Sequence, residues 1–152
     1  MADTRKSIGH LSVTVLVRAP AQVVWDATTD WERQTGWMAG TRVRATANGG
    51  RGVGGGIEAW TGIGPIGFLD TMEITAWEPP HRCLVRHTGR LLKGTGAFEV
   101  AEAADGGSTL TWIEDLELPL GPLGRLGWLL VRPAAQFGIR HSLGRLAAAV
   151  AV

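Results

Sequence analysis

The 152-residue chain is long enough for one domain, residues 1–152, and its 45% hydrophobic content is enough for a packed core. The 15 Lys and Arg residues nearly balance the 14 Asp and Glu residues, and the formal net charge of +1 argues against nucleic acid as a main partner. Cys83 is the only cysteine, which excludes an intrachain disulfide and a multi-thiolate metal site and indicates a reducing, cytoplasmic setting. The charge-free stretches near the C-terminus fall short of the roughly 20 apolar residues that a membrane span requires.

The chain begins with one predicted strand and two short predicted helices. Apolar residues recur at every second position over residues 10–18, which is the period of a strand. Pro20 suits the first turn of a helix, and residues 21–28 continue with apolar positions at helical spacing. A second short helix is predicted over residues 31–36, because Asp30 can cap its first turn.

From Met38 onward the pattern is that of strands separated by turns. Clusters of Gly, Pro, Asn and Asp separate most of the strands, and these residues supply or fix the backbone angles that turns need. Short connections favour antiparallel neighbours, so we expect a curved, seven-stranded antiparallel sheet. Its six later strands are predicted at residues 41–46, 57–62, 68–77, 82–89, 94–102 and 108–118.

Residues 122–149 are predicted to form one long amphipathic helix. Pro122 fits its first turn, whereas Pro133 predicts a kink near Val131 or a break into two segments. The helix must bury its apolar stripe, and the sheet offers the only large apolar surface, so we expect an α+β fold in which the helix packs on the concave face of the sheet. The predicted stripe consists of Leu123, Leu126, Leu130, Ala134, Phe137, His141 and Ala148.

The opposite face of this helix is basic. It carries Arg125, Arg132, Gln136 and Arg140, and the segment from Gly121 onward holds four arginines and no carboxylate. Such a face is compatible with a simple solvated surface. A solvated surface is the more common use of such a face, and the alternative is a module that docks on a protein partner or makes peripheral contact with an anionic membrane.

Two glycine-rich stretches, residues 50–55 and 62–67, match the pattern G-x-G-x-x-G. In dinucleotide-binding proteins this motif follows a strand and opens a helix whose free amides meet the pyrophosphate. Here each stretch leads into another predicted strand, so both are interpreted as hairpin turns. We therefore expect no cofactor, and the sequence also lacks a close cluster of metal ligands.

Polar residues interrupt apolar faces at four positions. Asp70, His87 and Glu114 alternate inward on three predicted strands, and His141 falls on the apolar stripe of the helix. Each residue alone is compatible with a strand end or a satisfied core position. Together they predict a cavity that at least two of them share, because a buried, unpaired carboxylate is unfavourable.

Tryptophan is frequent, with seven residues and no tyrosine. Its large flat ring can fill a core or form the wall of an apolar pocket. Core packing is the default for Trp25 and Trp112, whereas Trp37 and Trp60 are candidates for a pocket rim.

The order of the elements and several local motifs resemble a known superfamily. The motifs are Val23-Val-Trp-Asp and Thr29-Asp-Trp-Glu after strand one, Trp77-Glu-Pro-Pro before a strand, and Gly106-Gly-Ser-Thr-Leu-Thr-Trp leading to Glu114. The chain resembles the SRPBCC superfamily of START-like, helix-grip proteins, close to its polyketide cyclase/dehydrase-like branch. The resemblance implies a helix-grip fold with a hydrophobic ligand cavity between sheet and helix. It implies no particular catalytic residues, because the superfamily includes cyclases, lipid and steroid carriers, coenzyme Q-binding proteins and chaperone activators.

We therefore expect the chain to bind a small hydrophobic or aromatic molecule between the sheet and the C-terminal helix. A pocket of this kind needs apolar walls and a few convergent polar groups. The predicted ligand-binding residues are Trp37, Trp60, Asp70, Met72, Trp112, Trp128, Phe137 and His141.

Catalysis is the alternative use of the same cavity. The sequence contains no catalytic motif, so an enzyme here would be a cofactor-free polyketide cyclase or dehydratase that uses general acid-base chemistry. Glu114 is predicted as the base and His87 as the donor to the developing enolate, with His141 as a substitute from the helix.

Overall fold

A computed structural model describes residues 6–152 as one antiparallel sheet with helices. The α-helices are α1 (Ala21–Thr29) and α2 (Pro122–Val150), and short 3₁₀-helices lie at Trp31–Gly36 and Ala47–Gly50. The strands are β1 (Ser7–Val17), β2 (Thr41–Ala45), β3 (Gly56–Ile63), β4 (Ile66–Glu78), β5 (Arg82–His87), β6 (Gly94–Glu102) and β7 (Ser108–Leu118). The predicted α+β helix-grip fold, with seven antiparallel strands, two short helices after β1 and a long C-terminal helix, is confirmed.

The sheet has the order β1-β7-β6-β5-β4-β3-β2, and every neighbouring pair is antiparallel. After β1, the helix α1 and the 3₁₀-helix Trp31–Gly36 carry the chain from one edge of the sheet to the other. The register brings the β3–β4 turn, the β5–β6 loop, the start of β1 and the end of β7 to the same end of the sheet. Because α2 follows β7 directly, its first turns also lie at this end, which we call the hairpin end.

The core lies between the inward face of the sheet, α1 and the second half of α2. Its most deeply buried side chains include Val24 of α1, Ile74 of β4, Leu110 of β7 and Leu143 and Leu146 of α2. The C-terminal half of α2 is thereby anchored to the rest of the molecule.

The predicted apolar stripe of α2 does not face the sheet, and this part of the prediction is wrong. Leu123, Leu126, Leu130, Ala134, Phe137, His141 and Ala148 are all exposed. The side that meets the sheet and cavity is instead formed by Trp128, Ala135, Ile139, Ser142 and Leu146. Periodicity shows which residues share a face, but α2 has apolar residues on two faces, and only packing selects the one that is buried.

The helix continues through Pro133, so the predicted alternative of two separate segments is also wrong. A proline removes the hydrogen bond to the carbonyl four residues earlier, here that of Leu129. Both Pro133 and Leu129 are exposed to solvent, where water can satisfy that carbonyl. In the described part of the chain, no helix combines the length and the apolar character that crossing a membrane requires.

Candidate functional site

A cavity of about 470 Å³ lies between the inward face of the sheet, the 3₁₀-helix Trp31–Gly36 and the middle of α2. Ligand pockets typically have volumes of about 300–1,000 Å³, so this cavity is large enough for a small molecule. Its walls are mostly apolar, and they include Phe68, Met72, Val85, Phe98, Trp112, Leu116, Trp128, Val131 and Ile139.

Three ionisable side chains form a hydrogen-bonded chain in the cavity wall. The Nδ1–H of His87 donates to both carboxylate oxygens of Asp70, at 2.9 and 3.0 Å. Its Nε2–H donates to Oε2 of Glu114 at 2.9 Å, and Trp112 Nε1–H donates to the other oxygen of Glu114 at 2.8 Å. The side chains of His87, Asp70 and Glu114 are only 3%, 10% and 15% exposed, so the whole group is largely shielded from water.

Strand register explains how side chains from three strands meet. Asp70 lies on β4 and His87 on β5, but Glu114 lies on β7, and β6 runs between β5 and β7. The inward positions of β6 opposite His87 and Glu114 are Gly94 and Gly96. A Cβ atom on Gly96 would lie 3.0 and 3.1 Å from the two oxygens of Glu114, so the missing side chain leaves the room in which this carboxylate reaches across β6.

The two carboxylates determine the charge of His87. Burial lowers the pKa of His87, but the hydrogen bonds to Asp70 and Glu114 outweigh burial and raise the pKa to about 10. Since carboxylates only accept hydrogen bonds, both ring nitrogens carry protons and the ring is an imidazolium at neutral pH. The thiol of Cys83, also in the cavity wall, has its pKa raised by burial to about 12 and is therefore not a nucleophile.

Six of the predicted site residues line the cavity. The inward alternation read from the sequence for β4, β5 and β7 matches the structure at these positions. The six are Asp70, Met72, His87, Trp112, Glu114 and Trp128.

The other four predicted site residues lie outside the cavity. Phe137 and His141 stack on each other on the outward face of α2, because the helix is rotated relative to the predicted stripe. Trp60 alternates to the outer face of β3, where the guanidinium of Arg42 lies 5.0 Å from its ring centre. Trp37 is buried and contacts Trp112 edge-on, at 6.5 Å between ring centres, but it does not line the cavity.

A family model for proteins described as polyketide cyclase/dehydrase and lipid transport matches residues 9–151. The chain belongs to this family. No curated protein gives a significant match to the sequence.

Solved structures of other proteins share the fold of this family member. TTHA0849 from Thermus thermophilus is 15% identical, with 93% of this chain and 96% of that chain covered and a TM-score of 0.77. The ZhuI aromatase/cyclase from Streptomyces sp. R1128 is 14% identical, with 95% and 94% covered and a TM-score of 0.76. The di-domain ARO/CYC StfQ from the steffimycin biosynthetic pathway is 13% identical, with 95% and 50% covered and a TM-score of 0.73. At these identities the similarity shows a common fold.

Several residues that line the cavity of this protein were not predicted from the sequence. Phe98 lies opposite Trp112 in the β6–β7 register and packs on it at 5.0 Å between ring centres, so strand alternation could have found it. Gln34 and Ser142 add polar groups from the 3₁₀-helix Trp31–Gly36 and from α2. Neither has a local sequence signal, because their positions depend on how the helices pack.

The site has no arrangement typical of a metal centre. Asp70 and Glu114 bind opposite sides of the His87 ring instead of converging on one point. Among residues 6–152 there is no group of three or more His, Cys, Asp or Glu residues that could hold a metal ion.

A wider groove of about 940 Å³ lies between α1, the 3₁₀-helix Trp31–Gly36 and the end of α2. Its charged side chains already have partners: Asp30 pairs with Arg33 at 3.3 Å, and Arg145 donates to the carbonyl of Gly36 at 2.8 Å. The inner cavity differs from this groove because its wall contains the buried, hydrogen-bonded group of charged side chains. The inner cavity is therefore the candidate site.

Proposed function

We propose that the protein binds a small aromatic or otherwise apolar molecule in the cavity between the sheet and α2. The observation that carries this proposal is the buried Asp70–His87–Glu114 chain in the wall of an apolar cavity. Stable packing alone does not require three ionisable groups there, because apolar residues of similar volume often stabilise a core equally well. Membership of a family of cyclases, dehydrases and lipid transport proteins supports the same proposal.

The proposed orientation of the ligand follows from the polar groups. Glu114 and Asp70 carry two negative charges and His87 one positive charge, so this wall favours hydrogen-bond donors on the ligand, such as phenol or alcohol hydroxyls. Trp112 and Trp128 offer flat apolar faces to the ring system. We therefore propose a neutral, hydroxylated aromatic compound as the preferred ligand class.

Tryptophan fluorescence during titration with aromatic polyketides, sterols, fatty acids and quinones tests this proposal. A ligand that enters the cavity should change the emission, because Trp112 and Trp128 lie in its wall. Trp128→Phe should reduce this change, whereas Trp60→Phe, which alters a ring on the outer face, should leave it nearly intact. A response that depends on Trp60 and not on Trp128 would contradict binding in the cavity.

We propose a second candidate function for the same site, a cofactor-free cyclase or dehydratase. The observation that favours it is that the Glu114 carboxylate lies in the cavity wall and is held by two donors, Trp112 and His87. In this proposal Glu114 removes an activated proton next to a substrate carbonyl, and the resulting enolate carbon attacks a second carbonyl carbon of the same substrate, whose C=O π bond breaks as the ring closes. The alkoxide that forms takes up the proton held by Glu114. Glu114 then removes a second proton from the attacking carbon and passes it to the departing hydroxyl, so that a double bond forms and water is lost. Protonation of Glu114 removes its negative charge and weakens its hydrogen bond with the Nε2–H of His87. This N–H is then free to donate to the enolate oxygen.

Turnover of carbonyl-rich aromatic precursors, followed by absorbance of the cyclised product, tests the catalytic candidate. Glu114→Gln and His87→Ala should each lower turnover by roughly 100-fold or more, since general acid-base groups contribute about 10² to 10⁴. Glu73→Gln is the matched control, because Glu73 pairs with Arg86 outside the cavity. An unchanged rate in the doubly substituted protein would refute these roles, and a wild-type protein that converts no substrate would leave binding as the function.

A further inference from the structure

The first half of α2 turns an apolar face towards solvent. Leu123, Leu126, Leu130 and Phe137 are 69%, 57%, 76% and 73% exposed, and their spacing of three, four and seven residues places them along one side of the helix. Together with the exposed Leu129 they form what we call the leucine face. Monomeric proteins rarely expose a large contiguous apolar patch without using it, so this face is a candidate contact surface.

The charge beside the leucine face has one sign. With 3.6 residues per turn, Arg140 falls between Leu126 and Leu129 around the helix. Arg125 and Arg132 lie between Leu129 and the side that meets the sheet, so the arginines adjoin the leucines instead of lying opposite them. Arg125, Arg132 and Arg140 are exposed on α2, and no carboxylate follows Glu117 in the sequence. Glu117 lies near the end of β7 and is paired with Lys6 at 3.0 Å. A helix with exposed leucines and arginines and no acidic residue has the composition of helices that lie in the surface of an anionic membrane.

The hairpin end of the sheet, where α2 begins, has the same character. The β3–β4 turn exposes Ile63 and Ile66, and the β5–β6 loop exposes Leu91. The two nearby cations, Arg90 and Lys93, are exposed as well. These loops are separate in sequence from α2, so they provide an independent indication of the same surface chemistry.

We propose that the leucine face of α2, extended by the hairpin end, docks on an anionic lipid surface. A second copy of the chain fits less well, because a symmetric pairing of this face would bring the arginines of one helix close to those of the other. An anionic bilayer instead offers apolar depth for the leucines and negative charge for the arginines. This inference goes beyond ligand binding in the cavity and does not depend on the identity of the ligand.

Sedimentation with lipid vesicles tests the proposal. The protein should bind vesicles of phosphatidylcholine and phosphatidylserine in equal parts, bind phosphatidylcholine vesicles much more weakly, and be released by high salt. Absence of binding to the mixed vesicles would overturn the proposal.

Two pairs of substitutions locate the contact. Arg125→Gln with Arg132→Gln should lower partitioning to the mixed vesicles about 25-fold, since each cation near the surface contributes about fivefold. Leu126→Ser with Leu130→Ser should lower partitioning to both kinds of vesicle by at least about tenfold, because these side chains lose their insertion into the apolar layer. All four side chains are exposed, so the variants should unfold at the wild-type temperature.

The matched control lies at the other end of β1. Leu16 is 78% exposed and Arg18 is exposed nearby, so Leu16→Ser with Arg18→Gln makes one substitution of each kind far from the leucine face and should not alter partitioning. Equal loss in this control would overturn the assignment. A dimer that forms in the absence of lipid and is dissociated by the leucine substitutions would also overturn it, because such a dimer would identify a protein interface. Ligand titration of the same variants should be unchanged, so a failure of vesicle binding is distinguishable from a failure of the cavity proposal.

Discussion

At the residue scale, His87 is the centre of the candidate site. A cation held between two carboxylates satisfies all three groups in a place where each alone would be unfavourable. The arrangement depends on Asp70 and Glu114 together, because burial by itself lowers the pKa of the imidazole. Removing either carboxylate should therefore lower the pKa of the ring.

Titration of the His87 ring by NMR measures this dependence directly. The wild-type ring should remain protonated until the pH approaches about 10, whereas Asp70→Asn and Glu114→Gln should each lower its pKa. A wild-type ring that titrates at the ordinary value of 6.5 would contradict the hydrogen-bonded chain described here.

The same shift predicts how stability depends on pH. Because the folded-state pKa of His87 is raised from 6.5 to about 10, its stabilising contribution is complete below about pH 6.5 and is lost as the pH rises through about 10. Urea unfolding across this range should show a decline in the free energy of unfolding that is smaller in Asp70→Asn. An equal decline in both proteins would assign the pH dependence to other groups.

At the scale of single elements, α2 combines two different surfaces. Its last turns are anchored by Leu143 and Leu146, whereas its middle, from Trp128 to Ser142, covers the cavity with small or partly exposed side chains. The helix thus packs in the core at its C-terminal end and covers the cavity along the turns before it.

Truncation of two leucines of α2 tests this division. Leu146 is 0% exposed and Leu130 is 76% exposed. Leu146→Ala should reduce the free energy of unfolding by about 2–5 kcal/mol because it leaves a cavity in the core. Leu130→Ala should change it by no more than about 0.5 kcal/mol. Equal effects in urea unfolding would mean that the helix is rotated relative to the orientation described here.

The sequence predicted the elements well because turn residues and period-two alternation act locally. Alternation also placed Asp70, His87 and Glu114 on the inner face, although it could not show that they bind one another. That contact depends on Gly94 and Gly96 of β6, which are informative only once β6 is known to lie between β5 and β7. Phe137 and His141 were misplaced because the choice between the two apolar faces of α2 is made by tertiary packing.

At the scale of the whole molecule, the cavity and the core share one wall. Cys83 is fully buried, lines the cavity and lies on the same inward face of β5 as His87. Access of a reagent to this thiol therefore requires the sheet and α2 to separate or the cavity to open.

Labelling of Cys83 by a thiol reagent should be slow in the folded protein, because burial shields the thiol and raises its pKa to about 12. Any compound that binds in the fluorescence titration should slow labelling further by filling the cavity. Rapid labelling at the rate of the urea-unfolded chain would contradict the closed wall. Labelling unaffected by a saturating ligand would place that ligand elsewhere.

The charge of the Asp70–His87–Glu114 chain has a consequence for weakly acidic ligands. With His87 protonated and both carboxylates ionised, the cavity wall carries one net negative charge. A fatty acid would therefore enter as the neutral acid, and its apparent affinity would fall about tenfold for each pH unit above its own pKa, as the competent form becomes scarce. Its uptake would draw a proton from the solution, and calorimetry in buffers of different ionisation enthalpy would record that proton. A quinone or a neutral phenol would bind without taking up a proton.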